Sequence, residues 1–409
     1  MAATPAASGS SAPPADWRDR AAAAIPGGAS TGSKRPEALY GPAGGAGPTH
    51  FVRASGCRLT TADGRDLVDC TMALGSVALG YADPEVVDAV ARAVRDGNVA
   101  GLSHVREVEL AERLIEIVPC AERVRFLKSG AEGVAAAVRV ARAYTGKSSV
   151  VGAGYFGWLD WCSTALGVPG GVRRDFHPAA FDDVESLDAA LAEAGEDLAA
   201  IVVEPVVERL PSQEWIAAAR AACDARGAVL IFDEMKTGFR LRPGGFQEYA
   251  GASCDVAVFG KALANGFPLA AVVGRAEVMD VARSTWISST LAGESAALAA
   301  ATAVLDRHAR EDVCAQLWRT GEAMCEAMRR AIATTGTSGV TIAGIPPMWL
   351  VRFEDARRPP RFVDQALDDG VLFKLGAYDF ASLAHDAAAL TAIEHAATRA
   401  FASLGAHKA

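Results

Sequence analysis

Between Arg123 and Val273 the chain repeats one rhythm: a short apolar run, a polar loop, then an amphipathic stretch. The runs Val124–Leu127, Ser149–Gly152, Ala200–Val203, Val229–Phe232, Val256–Phe259 and Ala270–Val273 are each four residues long. That is too short for a buried helix and suits strands covered on both faces. Helical periodicity fills several of the gaps, over Glu132–Thr145, Val184–Glu193, Gln213–Arg226 and Ala276–Ala282. The alternation predicts an α/β fold with a mostly parallel sheet between layers of helices. Upstream, two alternating runs flank Asp63-Gly64, a hairpin signal. Asp83-Pro84 opens a helix running to Asp96, and another spans Glu107 to Ile117 before Pro119. Downstream, an Ala-rich helical run extends from Glu294 to about Thr334, followed by a strand at Met348–Phe353 and a final helix from Ala387 to Leu404.

At 409 residues the chain exceeds one simple core, since domains usually hold ~100–200 residues. The pattern divides it into a disordered tail (1–15), an N-terminal arm and the start of a small domain (16–60), a large domain (61–300) and a C-terminal small α+β domain (301–409). The tail is Ala, Ser and Pro with no charged start, unlike a secretory signal. No apolar stretch reaches the ~18–20 residues of a membrane span. A net charge of −9 with Arg scattered among acids offers no basic stripe, which argues against a nucleic-acid partner. The eight cysteines are widely separated, with neither CxxC nor a Cys/His cluster. They read as reduced residues of a cytoplasmic protein without a metal site.

Two of the strand runs stop at chemically useful residues. Val229–Phe232 ends at Asp233, and Val256–Phe259 ends at Gly260-Lys261. Open parallel sheets bind ligands beyond the carboxyl ends of their strands, so these two residues are candidates for one crevice. Pyridoxal 5'-phosphate (PLP) needs such a pair: a lysine that holds its aldehyde as a Schiff base and moves protons, and a carboxylate that keeps the pyridine nitrogen protonated. On spacing alone, a surface lysine and a helix-capping aspartate remain an equal alternative.

The segments IFDEMKTGFR and FGKALANGFPLAAVVGR resemble the signature of class III (omega-type) PLP-dependent aminotransferases. From about Pro26 to the C-terminal region, the chain is most similar to their glutamate-1-semialdehyde aminomutase-like branch. The resemblance implies a fold-type I PLP transferase, active as a homodimer, with Lys261 carrying the cofactor and Asp233 at its ring nitrogen. It places the cofactor phosphate at Ser129, Gly130 and Ala131, where Ala131 departs from the usual hydroxyl residue and leaves more to backbone amides. Tyr155 would stack on the ring, Phe156 stands where the family often has His, and Met235 would cover the opposite face. Glu204 and Trp158 would lie on the substrate side, and Thr290 would reach the partner subunit's phosphate.

Lys34 falls where the aminomutase-type arm carries an Arg for a substrate carboxylate, with a solvated basic arm as the plain alternative. The segment from Trp158 to Val172 is too short for the long gating loop of the mutases. The resemblance therefore favours transfer from an amino-acid donor to a keto or aldehyde acceptor, as in branch members acting on cyclic or sugar-like ketones in specialised biosynthesis. The aminomutase, another PLP enzyme such as a racemase or decarboxylase, and a cofactor-free scaffold remain alternatives.

Overall fold

The computed structural model describes residues 16–405, so the tail expected over 1–15 lies outside the described residues. The first strands, β1 (Phe51–Ser55), β2 (Arg58–Thr61) and β3 (Asp66–Asp69), pair antiparallel in sequence. The β2–β3 turn falls at Asp63-Gly64, where Gly64 takes φ +87, a region that favours glycine. This hairpin pairs across residue 60, where the pattern divided arm from large domain.

The strand–helix rhythm becomes a seven-stranded sheet. Its members are β4 (Arg123–Leu127), β5 (Ser149–Ala153), β6 (Phe176–Pro178), β7 (Leu198–Val203), β8 (Val229–Asp233), β9 (Val256–Phe259) and β10 (Ala270–Gly274), in the order β4-β10-β9-β8-β7-β5-β6. Strands β5 to β9 run parallel, while β10 is antiparallel to both β4 and β9. Every residue of β7, β8 and β9 is buried, which is why these runs are continuously apolar rather than alternating. The sequence pattern misses β6, whose Phe-His-Pro shows no period. The helix expected over Ala276–Ala282 is a short turn, Ala276–Met279, continued by a 3₁₀ segment, Asp280–Arg283.

The Ala-rich run is two helices rather than one, Ser295–Arg310 and Val313–Thr335. The break is a capping event: the Asp312 carboxylate accepts from Ala315 N at 2.8 Å. Beyond them come β11 (Val340–Ile345), β12 (Met348–Phe353), β13 (Val371–Leu372) and β14 (Asp379–Phe380). β11, β12 and β14 form an antiparallel sheet, whereas β13 adds parallel to β3, so the two ends of the chain share one sheet. The final helix, Ala387–Gly405, packs on Val313–Thr335.

The junction between these sheets is polar. Arg240 is fully buried, and its guanidinium donates to the carbonyls of Pro347 (3.3 Å), Ala381 (3.1 Å) and Gly75 (2.7 Å). Burial lowers its pKa to about 10, so it stays cationic at neutral pH. Asn265 acts in parallel, its Oδ1 accepting from Ala78 N and Leu79 N (both 3.0 Å) and its Nδ2 donating to Gly80 O (3.0 Å). The segment that both residues bind follows directly on a turn in which Met72, Ala73 and Leu74 all take positive φ (42°, 50° and 59°). Non-glycine residues persist there only when surrounding contacts hold them, at a cost of order 1–3 kcal/mol each.

Candidate active site

Because β7, β8 and β9 are adjacent and parallel, their carboxyl ends deliver three side chains to one edge. Glu204 follows β7, Asp233 ends β8 opposite Val258 of β9, and Lys261 follows Gly260 beyond β9. Lys261 itself takes φ 48°, a strained left-handed conformation in a lysine. Asp233 is only 4% exposed. Among the described residues its carboxylate accepts one hydrogen bond, from Met235 N at 3.0 Å. Burial, and next the charge of Glu204, push Asp233 up to about 7, against the pull of Met235 N, Lys261 and Lys236. Burial, and next the Lys236 ammonium, bring Lys261 down to about 8, with Asp233 and Glu204 opposing.

Glu204 is buried and forms an ion pair with Lys236 while accepting from Tyr155 N at 3.3 Å. The Lys236 ammonium also stands 4.3 Å from the centroid of the Tyr378 ring. Sequence reasoning missed Lys236, although its place three residues after Asp233 is the signal that could have found it. The neighbouring Glu234 plays a different part. Its carboxylate accepts from Phe246 N (2.8 Å) and Gln247 N (3.1 Å), the first amides of the helix Gly245–Ala250, and so is committed to that helix start.

Across the crevice, Ser129 caps the helix Gly130–Thr145. Its hydroxyl accepts from Glu132 N (3.3 Å), and the Glu132 carboxylate accepts from Ser129 N (2.9 Å) and Lys128 N (3.2 Å). Ser129 and its amide are thus occupied by a reciprocal capping box. The amides of Gly130 and Ala131 are left as the first-turn donors for an anion. A methyl on Gly130 would come within 2.9 Å of Met235 Cε, and one on Gly260 within 2.4 Å. Met235 therefore lies against both the anion loop and the turn that carries Lys261.

Tyr155 and Trp158 lie on the open side, 73% and 72% exposed. Phe156, the position where the family often has His, points the other way from its neighbour Tyr155 in exposure. Phe156 is buried, stacked on Trp161 at 6.2 Å and edge-on to Phe176 at 6.4 Å, because the apolar space behind β5 and β6 takes the ring. Lys34 and Thr290 line two separate cavities, neither of which Lys261 lines. Lys34 lines a cavity of about 200 Å³ with Tyr40, His50, Asp69 and Tyr81. Thr290 lines another, of about 580 Å³, with Asn98, Gly101 and His104.

The donor set fits PLP: a primary amine near neutrality, a buried carboxylate with bonding capacity to spare for a ring N–H, and free helix-start amides for a phosphate. The description "Aminotransferase class-III" matches residues 42–162 and 164–387, and the chain belongs to this family. It is 35% identical over 339 residues to a glutamate-1-semialdehyde 2,1-aminomutase of Rhodopirellula baltica, covering 78% of this chain and 76% of that protein. A 3-aminobutyryl-CoA aminotransferase of Cloacimonas acidaminovorans is 31% identical over 339 residues, covering 81% of each chain. The FumI protein of Sphingopyxis sp. MTA144, solved in its PLP internal aldimine form, superposes with a TM-score of 0.90 at 27% identity over 95% of both chains. The protein is a PLP-dependent aminotransferase of fold-type I architecture. Among the described residues no helix is long and apolar enough to cross a membrane, and no cluster of metal-ligating side chains is present.

Proposed function

We propose that the enzyme moves an amino group between two molecules, from an amino-acid donor to a keto or aldehyde acceptor, with Lys261 and Asp233 as its catalytic pair. The observation that carries this reading is their convergence at the ends of β8 and β9. When bound, PLP supplies an electron sink for the carbon that loses a proton. Lys261 attaches the cofactor and then moves a proton at Nζ, a task suited to an amine held near neutrality. Asp233 holds the proton on the ring nitrogen, and the Gly130 and Ala131 amides bind the phosphate. Tyr155 covers one face of the ring and Met235 the other. Glu204 orients groups on the substrate side.

The acceptor class we assign is a cyclic or sugar-like ketone. The exposed ring of Trp158 supports it, since an aromatic face receives the apolar face of a saturated ring. Intramolecular exchange, the activity named for the Rhodopirellula baltica relative, needs a lid that retains the intermediate. Residues 159–172 offer only short turns, ending in a 3₁₀ segment at Gly170–Arg173, which argues for transfer between molecules. The test is a donor panel: a suitable donor alone should bleach the cofactor's visible absorbance and release one keto product per site, and a ketone should restore it. Efficient isomerisation of glutamate 1-semialdehyde with neither donor nor acceptor present would refute the reading.

The unit we assign is a homodimer in which Thr290 completes the partner subunit's phosphate site. Leu102 (86% exposed) lines the same cavity as Thr290, and Trp286 (89%) and Leu291 (52%) adjoin its lining segment in sequence, exposed apolar side chains of the kind an interface with a second copy buries. Thr290→Ala should raise the cofactor's dissociation constant about tenfold, in line with ~1.5 kcal/mol for a hydrogen bond to a charged group, with little change in melting temperature. Full activity in a species that sediments as a monomer would contradict this assignment.

A further inference from the structure

Lys236 has no part in the roles assigned so far, yet it stands among the reacting groups. The charges that face one another at the ends of β7, β8 and β9 are Glu204, Asp233, Lys236 and Lys261, two of each sign. Three constraints bring them there: Glu204 and Asp233 come from strand ends, Lys236 from the turn after β8, and Lys261 from its strained turn. The Lys236 and Glu204 side chains are 13% and 10% exposed, so water screens their contact poorly. Tyr378 closes the far side. Its ring lies under the Lys236 ammonium, and its hydroxyl accepts from Glu208 N at 2.6 Å. Glu208 in turn pairs with Arg352. Arg240 is the remaining cation that acts on Lys261, and it acts only weakly.

We propose that Lys236 is a positioning residue: by neutralising Glu204 inside this set of four charges, it weakens proton binding at Lys261 and at Asp233 and so favours the free amine and the carboxylate that cofactor attachment uses. The sign follows from geometry. Without Lys236, Glu204 becomes an uncompensated anion beside both groups. An anion stabilises a cation at Lys261 Nζ and opposes ionisation of Asp233, so both groups bind protons more tightly. A carboxylate next to the cofactor is therefore tolerable only with its own counter-charge. The tyrosine face and the ion pair together hold the ammonium toward Glu204, leaving Lys261 as the amine free to react. A basic side chain here, rather than an apolar one, is a property of this chain that the catalytic pair alone does not demand.

The inference rests on the role proposed for Lys261, and the experiment separates the two. The holoenzyme's visible absorbance is titrated with pH, and borohydride reduction with peptide mapping locates the cofactor. Lys236→Met should raise the spectroscopic midpoint by about 1 unit, at the lower end of the ~1–3 units that a neighbouring charge contributes. The double variant Lys236→Met/Glu204→Gln should return it to within a few tenths of the parent, and Lys236→Arg should leave it in place. A role in packing alone would move stability but not this midpoint, and would not be rescued by removing Glu204. Cofactor found on Lys261 with an unmoved midpoint in Lys236→Met overturns this inference alone. Cofactor mapped to another lysine overturns it together with the assignment of Lys261. Should Lys236→Met fail to fold, the single variant Glu204→Gln decides: it should lower the midpoint, and no change refutes the charge balance.

Discussion

Replacing Lys261 with alanine should cut turnover by more than ~10³-fold, because general acid–base transfer alone contributes ~10²–10⁴-fold and the same side chain also attaches the cofactor. The fold should survive. Lys261 makes no ion pair among the described residues, and its turn is held by Asn265 N bonding to Ala262 O and Leu263 N bonding to Gly260 O. Alanine at φ 48° keeps the strain that lysine already bears. Cofactor should still bind through its phosphate, at the Gly130 and Ala131 amides, but borohydride should no longer fix it to the chain. Covalent label on any other lysine of the parent enzyme would defeat the assignment.

Asp233→Asn should slow the first half-reaction at least ~10²-fold, the scale of losing a main electrostatic contributor to a transition state. Asparagine can still accept the hydrogen bond from Met235 N, so the melting temperature should change little. The charge that holds the ring nitrogen protonated is what disappears. A near-normal rate in Asp233→Asn would show that another acid serves the ring nitrogen.

Much of this architecture was legible in residue order because its sheet is buried on both faces. Continuous apolar runs marked β7, β8 and β9, and their last residues marked the crevice. Parallel pairing then brings Asp233 and Lys261 together without any further signal. What depends on side-chain direction was not legible. Tyr155 and Phe156 are neighbours in sequence, yet one lies open and the other is packed against Trp161 and Phe176. Capping and anion binding use the same residue types at a helix start, so the capping box that Ser129 forms with Glu132 was not distinguishable in the sequence from a phosphate loop. Lys236 was passed over because a lysine in a polar turn is usually solvated, and only the fold places Glu204 and Tyr378 against it. The break between Ser295–Arg310 and Val313–Thr335 was hidden by composition, since a capping Asp inside a helical run looks like one more polar position.

The buried Arg240 ties the middle of the chain to both of its flanks. Its three carbonyl partners lie 165, 107 and 141 residues away in sequence, one before the seven-stranded sheet and two after it. An isolated cation in a protein interior costs several kcal/mol, so the native packing of the segment after Asp233 depends on all three partners. A chain cut short before residue 347 would lack two of them, and the end of β8 would carry an undercompensated guanidinium in place of a packed junction.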